Sequence, residues 1–155
     1  NLKISGKGII KVKASNNSKM IKELSEDKFF IHKPTLKSLQ GIIDLMDESY
    51  SDAEKYLKNP IYKTLILVPL KDEIVPRKPL IKILQNNEIK INVSNLVSVG
   101  AYDESYHMIL RDLEGDNITK DIKDWILEQK NIEENFNFKD VLKTFENTKF
   151  YHRLD

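Results

Sequence analysis

The sequence predicts an α/β fold in which parallel strands alternate with helices, and three observations carry that expectation. Residues 62–68 form a near-continuous apolar run of β-leaning residues, including Leu65, Ile66, Leu67 and Val68. Such a run suits a strand covered on both faces, as in a parallel sheet. A second run, at 96–99, follows a helical pattern and is closed by Gly100. Both runs end in loops that carry ionisable side chains and then lead into further helical patterns. Open α/β sheets bind ligands outside the carboxyl ends of their strands. Asp72, just past the first run, and His107, past the second, therefore stand out. They are 35 positions apart, room for one helix and one strand.

The elements follow in order. Residues 2–13 read as irregular or briefly extended. Gly6 and Gly8 make a Gly-x-Gly with no third glycine and no long strand before it, so a flexible connection is expected and not a phosphate loop. Asn16, Asn17 and Ser18 are cap-type residues ahead of a short helix through Met20 and Leu24. Phe29, Phe30 and Ile31 read as a compact apolar cluster, closed by His32 and Pro34; His32 reads as a loop residue. Thr35 is expected to cap a helix whose Leu36, Leu39, Ile42, Ile43 and Met46 form one apolar stripe, a core-packing or docking face. Ser51 and Glu54 have capping-box spacing and predict a separate short helix that Asn59 and Pro60 stop.

Past the Asp72 turn, Leu80, Ile81, Ile83 and Leu84 belong to a helix ending near Gln85. Asp116 or Asn117 is expected to cap the last strong helix, in which Ile118, Ile122, Trp125 and Ile126 share a face. Trp125, the one tryptophan, reads there as core. A polar break at 131–137 precedes a final amphipathic segment with Phe138, Val141, Leu142 and Phe145.

Composition excludes several functions. The 155 residues suit one domain of ordinary size. With 32% charged and 40% hydrophobic residues the chain reads as globular. Its net charge of +1 provides no long-range field for nucleic acid or an acidic membrane. The absence of cysteine removes disulfides, thiolate nucleophiles and thiolate metal sites. No apolar run approaches the roughly 18 residues of a membrane span, and no signal peptide is visible. A cytoplasmic protein is expected. No metal and no cofactor are expected either. The sequence begins at Asn1 and not at a methionine, so a piece of something longer is expected.

Asp72 alone reads equally as a turn residue or helix cap, and His107 alone as a satisfied polar residue. Together, on consecutive strand ends, they have the makings of an acid–base pair. An imidazole acting as general base needs a carboxylate to fix its tautomer and to stabilise the imidazolium.

Three pieces of sequence together resemble the C-terminal half of a serine α/β-hydrolase. They are Leu65-Ile66-Leu67 with Lys71-Asp72-Glu73-Ile74-Val75-Pro76, then Tyr106-His107 with Leu110-Arg111-Asp112-Leu113, then Asp121-Ile122 with Trp125-Ile126. The likeness is to the bacterial lysophospholipase and monoacylglycerol lipase group and spans roughly residues 9–129. It implies a partial α/β-hydrolase fold: the last parallel strands of the sheet with flanking helices, plus part of a helical cap. Residues 1–59 would be the cap remainder and a core helix, 60–130 the C-terminal part of the core, and 131–155 an extension. The resemblance makes Asp72 the triad acid and His107 the triad base.

The sequence departs from that pattern in two ways. Pro69 stands where the family usually has glycine. In this fold the triad runs Ser, Asp, His along the chain, yet none of the five glycines forms a Gly-x-Ser-x-Gly and no His-Gly-Gly loop is present. Ser38, Ser49 and Ser51 lie in helical or capping contexts. Two readings follow. In the first, the chain is part of a lipase-like carboxylic-ester hydrolase, inactive alone for want of the nucleophile. Its partners would be a separate N-terminal hydrolase half or a second copy of itself, and its substrate an acyl-ester lipid once completed. In the second, it is a catalytically dead interaction or lipid-binding module derived from the same fold.

Overall fold

The computed structural model describes residues 12–76, 78–85 and 96–127. Within them the chain is a mixed α/β structure built on two parallel strands. Helix α1 spans Ser18–Glu26 and α2 spans Leu36–Lys58. Strand β1 is Thr64–Pro69, α3 is Lys78–Leu84, β2 is Val97–Tyr102 and α4 is Gly115–Ile126. The strands pair in parallel from Thr64 opposite Val97 to Pro69 opposite Tyr102. Helix α3 lies between them in sequence, as a parallel crossover requires.

Side chains alternate across a strand, and the two faces of this sheet meet different helices. Ile66 and Val68 of β1, with Val97, Val99 and Ala101 of β2, join Leu57 of α2 and Ile83 and Leu84 of α3 in the main core. The opposite face receives α4. There the Trp125 Nε1–H donates to Ser98 Oγ at 3.2 Å, and the Tyr102 hydroxyl donates to Asp121 Oδ2 at 3.2 Å. Burial, and then the charge of Asp121, push the Tyr102 phenol well above its ordinary pKa, so it remains the donor. Trp125 is thus half-buried and hydrogen-bonded, not enclosed in the core as the sequence suggests, and Ile126 faces outward. Ile118 is the fully buried residue of α4.

The caps at 17 and 35 form as expected. Asn17 accepts from the Met20 N–H, and Thr35 and Ser38 form a reciprocal capping box. Elsewhere the structure corrects the sequence reading. Residues 51–58 do not start a new helix but continue α2, since no proline or strand-forming run interrupts it. Ser49 is absorbed mid-helix by bonding back to the Leu45 carbonyl at 2.6 Å.

Only the C-terminal part of α2 reaches the sheet. Its 23 residues extend about 34 Å, whereas each six-residue strand covers about 20 Å. Leu36, Ile42 and Ile43 of the stripe are therefore exposed, and Leu39 and Met46 only partly covered. Phe29 and Ile31, 82% and 74% exposed, join no core among the described residues. Strand β1 is also less covered than its apolar run implies, with only Val68 fully buried.

Strand β2 runs two residues past Gly100, because the ladder is continued by backbone pairing and not by apolar content. The Leu70 N–H still finds the Tyr102 carbonyl at 3.0 Å. Helix α4 begins at Gly115 after Glu114, without a side-chain cap. Asp116 lies in its first turn, where its charge favours the helix dipole. The Gly6–Gly8 segment, residues 89–95 and the 131–155 extension lie outside the described residues.

Gly115 is required by space. A Cβ on it would lie 2.5 Å from the Leu110 carbonyl oxygen and 2.8 Å from its carbon. Both are backbone atoms and cannot rotate away. Gly115→Ala is expected to destabilise the chain by about 1–3 kcal/mol, the usual cost of overpacking, outweighing alanine's better helix propensity. A lower urea midpoint with unchanged m-value checks this.

Candidate active site

Both loops leave the carboxyl ends of the paired strands side by side. Past Pro69 and Tyr102 the two chains stay in register: Leu70 N–H bonds Tyr102 O, and Lys71 N–H bonds Ser105 O at 2.9 Å. A Lys71–Glu104 ion pair closes the solvent side, and its hydrogen bond raises the Lys71 pKa. The parallel arrangement forces the two loops to the same end of the sheet, where the sequence places Asp72 and His107.

Asp72 is buried, 7% exposed, in a turn closed by its own N–H on the Pro69 carbonyl. A buried carboxylate is costly unless its oxygens are satisfied. Oδ1 accepts from the N–H groups of Ile74 (2.7 Å) and Val75 (3.1 Å), the aspartate-turn geometry that short polar side chains favour. Those two bonds orient the carboxylate so that Oδ2 faces His107 Nδ1 at 2.9 Å. An ionised carboxylate only accepts, so Nδ1 carries the hydrogen and the neutral ring keeps its lone pair on Nε2. The imidazole is 40% exposed. Tyr50 bonds the Pro76 carbonyl at 3.3 Å behind the turn, and burial together with the Asp72 charge raises its pKa.

The arrangement can present a base whose tautomer is fixed by a buried acid. Among the described residues no serine lies on a strand-to-helix elbow. Ser38 is in a cap and Ser49 is bonded within α2. Ser98 sits mid-strand under Trp125, and Ser15 donates to Asp112. Ser105 is buried, and its Oγ has no hydrogen-bond partner among the described residues. His32 is exposed, with Nε2 at 3.2 Å from the Asp27 carbonyl and its ring edge-on to Phe30. Among the described residues no cluster of three or more His, Asp or Glu side chains could hold a metal ion. No helix among them is long and apolar enough to cross a membrane.

Sequence reasoning missed Asp112 as a structural centre of the site. It is 5% exposed and joins the His107 loop to residues 15 and 16. Ser15 and Asp112 are 97 positions apart, and no periodicity or spacing in the sequence relates them. Comparison with family models, with curated proteins and with solved structures finds no match for this chain.

Proposed function

We propose that this chain supplies the acid and the base of a serine-dependent carboxylic-ester hydrolase, resembling the bacterial lysophospholipases and monoacylglycerol lipases of the α/β-hydrolase fold. The nucleophilic serine comes from a segment outside this sequence. The observation that carries the reading is the 2.9 Å contact between Asp72 Oδ2 and His107 Nδ1, made where two adjacent parallel strands end together.

In the completed enzyme the serine Oγ attacks the ester carbonyl while His107 Nε2 takes its proton. Asp72 stabilises the imidazolium so formed. The proton then passes to the departing alcohol, leaving an acyl-serine, and water repeats the sequence to release the acid. Donors to the tetrahedral oxyanion, worth on the order of 3 kcal/mol each, must arrive with the serine. Burial of apolar surface on Phe29, Ile31, Ile42 and Leu45, at about 25 cal/mol per Å², would drive the two parts together.

The same exposed apolar residues favour the second reading, an interaction module that binds a partner chain or lipid and performs no chemistry. The two readings separate in one assay. The chain is mixed with an N-terminal hydrolase half from the same genome or a close equivalent, carrying a Gly-x-Ser-x-Gly elbow, and offered monoacylglycerol and lysophospholipid. Hydrolysis by the mixture and by neither part alone is expected. Halves that bind tightly yet never hydrolyse either substrate would leave the interaction module standing.

A further inference from the structure

We propose that Asp112 is a positioning residue for His107, acting through a clasp in which residues 13–17 grip the His107 loop. The inference rests on the acid–base reading of Asp72 and His107. Both Asp112 oxygens are engaged. Oδ1 accepts from the Ser15 hydroxyl at 2.5 Å and the Asn16 N–H at 3.2 Å, and Oδ2 from the Tyr106 N–H at 2.6 Å. Around this centre the Met108 N–H donates to the Ala14 carbonyl at 3.0 Å. Asn17 Nδ2 donates to the Arg111 carbonyl at 3.0 Å, and the Leu113 N–H to Asn16 Oδ1 at 2.8 Å.

These bonds converge on the residues flanking the base. Tyr106 is held directly by Asp112, and Met108 by the segment that Asp112 anchors, so the His107 backbone is pinned on both sides. The same segment reaches the acid loop, where the Lys13 N–H donates to Glu73 Oε2 at 2.8 Å. Lys13 Nζ donates to the Tyr106 hydroxyl at 3.1 Å. One short stretch of chain thus bridges the loops of Asp72 and His107. The β1–β2 ladder and the main core do not include Asp112, so its bonds serve the loop and not the sheet.

The test is a long-range ¹⁵N–¹H correlation spectrum of the full chain, which reports which ring nitrogen of each histidine carries hydrogen. With three histidines in the chain, His107 is assigned by one substitution. The unsubstituted chain is expected to show His107 in the Nδ1–H form, and Asp72→Asn to lose it. Asp112→Asn preserves shape but presents an amide NH₂ in place of one oxygen, so it cannot accept from all three donors. It is expected to lose the Nδ1–H signature while the strand amide signals stay in place.

An Nδ1–H signature retained in folded Asp112→Asn would overturn the positioning role alone. So would an equal loss in Ser98→Ala, which cuts the remote Trp125 bond and reports general loosening. If Asp112→Asn does not fold, Ser15→Ala carries the same readout: a shift toward the Nε2–H form is expected, and no shift overturns the proposal. An unsubstituted His107 without the Nδ1–H signature would overturn the acid–base pair itself, and the positioning role with it.

Discussion

In the reconstituted mixture, His107→Ala is expected to remove nearly all ester hydrolysis, a loss of about 10⁶-fold in kcat where nucleophile and base act as a unit. The size follows from the absence of a substitute. His32 is turned to the Asp27 carbonyl and the Phe30 ring, on the exposed stretch between α1 and α2, and His152 lies outside the described residues. His32→Ala is expected to leave the rate unchanged. His107 is 40% exposed, so truncating the ring removes little packing. Its loss does take one of three donors from the buried Asp72 carboxylate, at a cost of about 1–3 kcal/mol. A binding measurement on the two parts therefore accompanies the rate, to show that the mixture still assembles.

Asp72→Asn is expected to cost about 10⁴-fold in kcat, the scale seen when a triad histidine is held in the wrong tautomer. An asparagine can turn its oxygen to the Ile74 and Val75 N–H groups, as Asp72 Oδ1 does now. Its NH₂ then faces His107 Nδ1, which must become an acceptor, and the ring hydrogen moves to Nε2. The base is blocked while the turn survives. Far-ultraviolet circular dichroism is expected to be unchanged, with the deficit confined to turnover. Asp72→Ala differs, because it also strands two backbone donors in a buried turn and is expected to lower the melting temperature.

The features legible in the sequence were those set by local chemistry. Asn17 and Thr35 announced two helix starts, and the apolar runs announced β1 and β2. The turn after Pro69 placed Asp72 at a strand end, and the distance to His107 implied a single crossover between parallel neighbours. What eluded reading depended on contacts between distant parts. The stripe on α2 reads as a core-packing or docking face, and only the length of the described sheet shows that its N-terminal half is not core. Ser51 and Glu54 have cap spacing, yet nothing nearby stops the preceding helix. Gly100 ends an apolar run but not a strand. The Ser15–Asp112 contact joins residues nearly two-thirds of the chain apart, through hydrogen bonds that no local pattern encodes.

The central claim is that Asp72 and His107 activate a serine this sequence does not contain. Its most direct measurement is covalent labelling by a serine-reactive fluorophosphonate probe, on the chain alone and on the mixture. The expected result is no label on the chain alone and, in the mixture, label on a single serine, the elbow serine of the N-terminal half, dependent on His107. Label on any of this chain's own serines, or an unlabelled elbow serine in a mixture whose parts are shown to bind, would contradict the account.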